Sequence, residues 1–251
     1  MFVWSEEKIR FLKDASEYTP FNDALAARIA PHLPPNAHLL DAGCGLGYLS
    51  LALAPYCARV TAMDVSENAL AVLRENIALS GVRNIDVREG DVFHLPEDCR
   101  FDAMVFCFFG SVSETLGCIR RHCRGKAVLL KKNWQTHRFT LRETPLARFT
   151  FAQTCAELRA LGVPHESSTF SLDMGQPFRT PEDAAAFFRM NRRSAAPDAI
   201  TVSEVSDRLT KTGDSRFPYY LPAERPVGMI LINAKVLPDA LNTNSKEEVS
   251  S

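Results

Sequence analysis

The chain has 251 residues, 46% apolar and 24% charged, a globular composition that excludes a disordered, collagenous or coiled-coil chain. Lys plus Arg number 29 and Asp plus Glu 30, so the net charge is -1 and no global field draws the protein toward nucleic acid or anionic lipid. The seven cysteines are odd in number and form no C-x-x-C pair, no apolar run approaches a membrane span, and Met1 to Asp14 lacks the pattern of a signal peptide. Reduced thiols in a soluble, cytoplasmic protein are therefore expected, with neither a disulfide framework nor a zinc ribbon.

Helical patterns cover Ser5 to Ser16 and Phe21 to His32. A first strand, His38 to Asp41, runs into glycines and then a helix, Tyr48 to Pro55. The second strand, Ala58 to Met63, ends at Asp64, and Ser66 caps a helix over Glu67 to Ser80 that Gly81 stops. The third strand, Ile85 to Arg88, is followed by Glu89-Gly90-Asp91, and the fourth, Phe101 to Phe106, ends at Cys107. A helix over Ser111 to Cys123, a fifth strand over Lys126 to Leu130, a helix near Pro145 to Leu161 and a β-like run from Ser167 to Leu172 follow. Then come roughly 50 residues, longer than an ordinary loop. They hold helical patterns at Pro181 to Asn191 and Val202 to Lys211 and a turn-rich stretch, Gly213 to Pro226, before a final strand, Val227 to Lys235. This alternation predicts a doubly wound, mostly parallel α/β sheet. One domain is expected over residues 1–237, with N-terminal helices and a helical cap inserted at about 175–226. The polar segment 238–251 reads as a disordered tail.

The chemistry-bearing segment is Asp41-Ala42-Gly43-Cys44-Gly45-Leu46-Gly47-Tyr48. Glycines permit a left-handed turn and let a ligand lie against bare backbone, and the following helix offers free N–H groups. Glycine spacing alone suits any strand-to-helix turn. Two carboxylates strengthen it. Asp64 stands 17 positions beyond Gly47, near the distance at which an acidic side chain meets ribose hydroxyls, and Asp91 ends the third strand at the same sheet edge. Asp91 also suits a plain strand-ending turn. A dinucleotide fingerprint fits less well, because Tyr48 or Ser50 stands where Gly or Ala is required.

These residues resemble the class I S-adenosylmethionine-dependent methyltransferase superfamily. D-x-G-x-G-x-G is matched by Asp41, Gly43, Gly45 and Gly47, the acidic residue after the second strand by Asp64, and a G-D pair by Gly90-Asp91. The resemblance covers about Leu39 to Leu130. It implies a Rossmann-like sheet of seven strands and S-adenosyl-L-methionine as cofactor, with S-adenosyl-L-homocysteine as product. It further implies that the loop, Cys44 included, holds the cofactor's amino-acid part. Asp41 would orient the loop or meet the ammonium through water. Asp64 would bind the ribose hydroxyls, Val65 would pack on the adenine, and Asp91 with the Val92 N–H would bind it. Cys107 would line the site through its backbone.

The acceptor pocket is expected to begin at Cys107-Phe108-Phe109, where no N/D-P-P-Y motif stands, so nucleobase and glutamine methylation lose ground. Phe108 and Phe109 are candidates to shape an apolar or aromatic acceptor site, or are plain core. Thr115 to Arg142 carries eight Lys and Arg and no Asp or Glu. Within it, Lys131 and Lys132 follow the fifth strand and are candidates to face an anionic acceptor, as is Arg179 at the cap. His137, Lys131 and Tyr18 are the weak candidates for a catalytic base. Cys118 and His122 share a helix face but lack converging partners, so no metal is expected. The reading is methyl transfer to a small-molecule acceptor, anionic or aromatic, with no membrane and no extensive nucleic-acid binding. The rivals are a non-catalytic member that binds S-adenosylmethionine or a partner, and an NAD(P)-dependent oxidoreductase.

Overall fold

The structure, a computed structural model, describes residues 4–137, 139–140, 145, 150–192 and 200–238. Strands β1 (His38–Ala42), β2 (Arg59–Asp64), β3 (Ile85–Glu89), β4 (Phe101–Cys107) and β5 (Cys123–Lys132) pair in parallel. Strand β10 (Glu224–Asn233) lies antiparallel between β5 and β6 (Glu166–Asp173). The order across this seven-stranded sheet is β3-β2-β1-β4-β5-β10-β6. The order reverses at β1, and open α/β sheets bind ligands outside the carboxyl ends of strands at such a point.

Strand β1 shows how the sheet is covered on both faces. Its side chains alternate, so Leu40 and Ala42 join one core and Leu39 the other, all of them fully buried. On the first face lie α5 (Val112–His122) and α6 (Phe151–Ala160), through Leu116, Ile119 and Leu158. On the second lie α2 (Phe21–Ile29) and α3 (Tyr48–Leu53), through Leu25, Ile29, Leu49 and Leu53. Helix α4 (Glu67–Ser80) covers β2 through Leu70 and Leu73. Ser66 caps it by accepting from the Ala69 N–H, and Gly81 ends it in the left-handed conformation, as the sequence implied.

The segment before β10 departs from its helical patterns. Besides α7 (Pro181–Met190) it contains β7 (Gln176–Phe178), β8 (Thr210–Lys211) and β9 (Tyr219–Leu221), a small antiparallel sheet in the order β7-β9-β8. The pattern over Val202 to Lys211 predicts one helix. Instead α8 (Val202–Ser206) stops early, and Thr210 pairs with Tyr220, its hydroxyl donating to the Tyr220 carbonyl at 3.1 Å. Strand β10 begins at Glu224 rather than Val227 because Glu224, Arg225 and Pro226 pair with Asp173, Leu172 and Ser171 of β6 before the pairing with β5 starts at Val227. The expected tail, apart from Pro238, lies outside the described residues, as do Arg138 and Arg142.

Helix α1 (Glu6–Tyr18) is fastened to this cap by charge and by aromatic packing. Buried Asp14 accepts two bonds from the Arg179 guanidinium, at 2.6 and 2.8 Å. Arg10 reaches Asp183 at 2.6 Å, and Arg216 reaches Glu17 at 2.8 Å. Phe11 packs edge-on against Phe178 and Phe187, with centroids at 6.0 and 4.8 Å.

Candidate active site

The loop after β1 is built from bare backbone. Gly43 and Gly45 have φ of 68° and 54°, a region in which side chains are strained. Space is short as well. A Cβ on Gly43 would lie 3.0 Å from Cγ of Phe109, and one on Gly45 would lie 2.9 Å from Cζ2 of Trp4. The loop is therefore packed closely against two aromatic rings, with which a side chain at either glycine would collide.

Three carboxylates frame the loop. The Gly45 N–H donates to one oxygen of Asp64 at 2.9 Å, and the Ser66 N–H donates to the other at 2.9 Å. Each carboxylate oxygen has two acceptor positions, so one remains on each, enough for a pair of vicinal hydroxyls. Asp41 is fully buried and accepts from Ser50 Oγ at 2.5 Å. Burial raises its carboxyl to about 6, the Ser50 bond opposing this and the Asp64 charge adding to it. The Cys44 thiol is pushed far up by burial and then by the Asp41 and Asp64 charges, which marks the field at the loop as negative. Asp91 accepts from the Phe93 N–H at 2.9 Å and pairs with His94 at 2.7 Å. The Phe93 bond is the main cause of its lowered pKa. Val65 is exposed at the end of β2, whereas the Val92 side chain is buried in the core.

The turn after β4 is held by an unforeseen device. Phe108 adopts φ of 54°, rare for a side chain of this size. Its N–H donates to the Leu130 carbonyl at 2.9 Å. Lys131 is buried and its Nζ donates to the carbonyls of Phe109 and Gly110, at 3.0 and 2.8 Å. Burial lowers its ammonium to about 8, with Cys107, Glu157 and Glu114 offsetting part of that. Cys107 is held as a neutral thiol, because burial and the Asp41 charge raise its pKa and Lys131 only partly counters them. Phe109 stacks on Phe93, with centroids at 5.2 Å and planes 10° apart, which lays the pair beside Gly43 and Asp91.

Two other candidates pack the junction of α1 with the cap. The Arg179 guanidinium is engaged by Asp14. Tyr18 packs on Phe217 and Tyr220, at 5.6 and 5.3 Å, and so serves the junction of α1 with the small sheet. Lys132 ends β5 opposite Val227, and His137 is half-buried in the segment after it. Cys118 donates to the Val92 carbonyl, and His122 Nδ1 lies 3.0 Å from the Cys99 carbonyl oxygen. Sequence reasoning missed Trp4, Phe93 and Ser50. For Ser50 a signal existed, since it sits nine positions after Asp41 on the helix that the loop opens.

Comparison with known proteins agrees with this geometry. Residues 39–125 match a family described as a methyltransferase domain. Over that segment the chain is similar to class I S-adenosylmethionine-dependent methyltransferases. It is 35% identical over 171 residues to the ubiquinone biosynthesis O-methyltransferase of Xanthomonas campestris, covering 66% of this chain and 65% of that protein. It is 52% identical over 48 residues to the ribosomal protein L11 methyltransferase of Syntrophomonas wolfei, covering 19% of this chain and 16% of that one. The chain thus spans less than two thirds of the length of either relative. A putative methyltransferase from Bacillus halodurans shares the fold, with a TM-score of 0.54 at 18% identity, covering 84% of this chain and 98% of that one. S-adenosylmethionine is the methyl donor of the superfamily. The loop suits it: bare backbone, a carboxylate with two acceptor positions left for ribose hydroxyls, and a negative field for a sulfonium and an ammonium.

Proposed function

We propose that this protein transfers a methyl group from S-adenosylmethionine to a small-molecule acceptor, anionic or aromatic. The observation that carries the reading is Asp64, held by two backbone N–H groups that leave one acceptor position on each oxygen for a pair of ribose hydroxyls. Gly43, Cys44, Gly45 and Gly47 would hold the amino-acid part, with Asp41 fixing the loop through Ser50. Val65, Asp91 and the Val92 N–H would take the adenine, and Cys107 would line the site by its backbone. When bound, the sulfonium supplies an activated methyl group. The chain's own task is alignment and exclusion of water, for which fixed geometry can supply much of the barrier reduction. A base is required only for an acceptor that must lose a proton. Lys131, bonded to two carbonyls, instead positions the turn that carries Phe108 and Phe109.

A small acceptor is supported by the ubiquinone biosynthesis O-methyltransferase relative, whose match is much longer than the one to the ribosomal protein enzyme. It is supported too by a cap that roofs a cavity of about 510 Å³, within the range of small-molecule pockets. The net charge of -1 weighs against an extended nucleic-acid surface. The seven free cysteines favour a reducing compartment such as the cytoplasm, and among the described residues no helix is long and apolar enough to cross a membrane. The test is calorimetric titration of Asp64→Ala with S-adenosylhomocysteine. Loss of at least about tenfold in affinity is expected, as two hydrogen bonds to a charged acceptor disappear. Unchanged affinity would refute the ribose assignment.

A further inference from the structure

The cavity beneath the cap lies between α1 and α7. Rings supply much of its wall: Trp4, Phe11, Phe21, Phe139 and Phe187. Among the described lining residues two side chains are charged, Lys8 and Arg192, and both are cationic. No described carboxylate lines it, although α1 carries Glu6, Glu7, Asp14 and Glu17. Asp14 and Glu17 are turned instead to Arg179 and Arg216. The cavity is therefore rich in aromatic rings with only cationic charge among its described lining residues, while Asp14 and Glu17 are paired outside it. Trp4 belongs to both places. It lines the cavity, and its ring edge faces Gly45. A single indole thus separates this space from the glycine loop.

We propose that this cavity is the acceptor site, and that it takes a planar aromatic molecule bearing one anionic group, the ring against the phenylalanines and the anion toward Lys8 and Arg192. The assignment rests on the methyltransferase reading for the word acceptor, but not for the binding chemistry. Aromatic walls favour a ring through stacking and edge contacts, and cations next to a low-dielectric wall favour an anion. The Trp4 ring fills the space above Gly45, so an acceptor would reach the loop only where this indole shifts.

Two fluorescent probes test this: 8-anilinonaphthalene-1-sulfonate, and N-phenyl-1-naphthylamine, which has the same rings without the charge. The sulfonate is expected to bind one saturable site, about tenfold or more tighter than the amine. Lys8→Glu and Arg192→Glu should each weaken the sulfonate by about tenfold and leave the amine unchanged. Ala15→Trp, which fills the cavity from α1, should remove both. Should that variant fail to fold, the two charge reversals still decide, since Arg192 is exposed and Lys8 is only half-buried. S-adenosylhomocysteine should change the sulfonate affinity by about threefold or more through Trp4. Equal affinity for the two probes, or indifference to both charge reversals, would overturn the proposal. Normal sulfonate binding with no response to saturating S-adenosylhomocysteine would overturn its assignment as acceptor site. Absence of S-adenosylhomocysteine binding altogether would sink the methyltransferase reading instead.

Discussion

Asp41 and Lys131 are buried ionisable groups at the ligand edge, and each leaves a signature in the pH dependence of stability. Asp41 is raised to about 6 from 3.8, so between these values the folded chain holds a proton that the unfolded chain has lost. Stability should therefore fall as pH rises from about 4 to 6, by on the order of 3 kcal/mol. Lys131 is lowered to about 8 from 10.5, so between these values it is the unfolded chain that holds more protons. Stability should rise across that window by a similar amount. Urea unfolding across pH checks both, with Asp41→Asn flattening the acid limb and Lys131→Met the alkaline one. Slopes unchanged in these variants would show that other groups carry them. The left-handed glycine loop after β1 was legible in the sequence, because a strand, alternating glycines and a helix constrain one another locally. The fate of Lys131 was not. Its basic character suggested an anion, but its partners are carbonyls more than twenty positions away, across the sheet edge. Nor does any residue type announce the left-handed Phe108, which that same bond network holds.

Helix α1 depends on Asp14 for its seat against the cap. The Asp14 carboxylate is buried, whereas Arg179 is about 40% exposed, so solvent screens part of the attraction. Asp14→Ala should cost about 1–3 kcal/mol, chiefly by stranding guanidinium groups against the cap. A double-mutant cycle with Arg179→Ala should return a coupling of about 1 kcal/mol or more by chemical denaturation. Additive losses would mean that the pair contributes nothing beyond its separate packing. The sequence shows why this element-level contact stays hidden. Asp14 and Arg179 are 165 positions apart; in isolation Asp14 reads as a solvated helix residue and Arg179 as a solvated or acceptor-facing cation before a helix. The small sheet is equally silent, because its strands are three, two and three residues long and pair across the span from Gln176 to Leu221. The long helices and the central strands were legible, since their apolar spacing repeats over whole elements.

The molecule as a whole places its ligand edge where the strand order reverses, with the cap and α1 on the far side of Trp4. Any ligand that binds this folded edge and not the unfolded chain must stabilise the protein by mass action. At a hundredfold excess over its dissociation constant, S-adenosylmethionine should add about 2.7 kcal/mol. For a chain of this size that corresponds to a rise of about 5–10 °C in Tm by calorimetric scanning. An unmoved Tm at saturating ligand would argue against binding at the folded edge. The proposed function requires that the glycine loop and Asp64 hold an S-adenosyl ligand rather than a dinucleotide. Isothermal titration of the purified protein with S-adenosylmethionine, S-adenosylhomocysteine and NAD addresses it most directly. Saturable binding of the two adenosyl ligands at one site, with none of NAD, is the result predicted. Binding of NAD without either adenosyl ligand would contradict it.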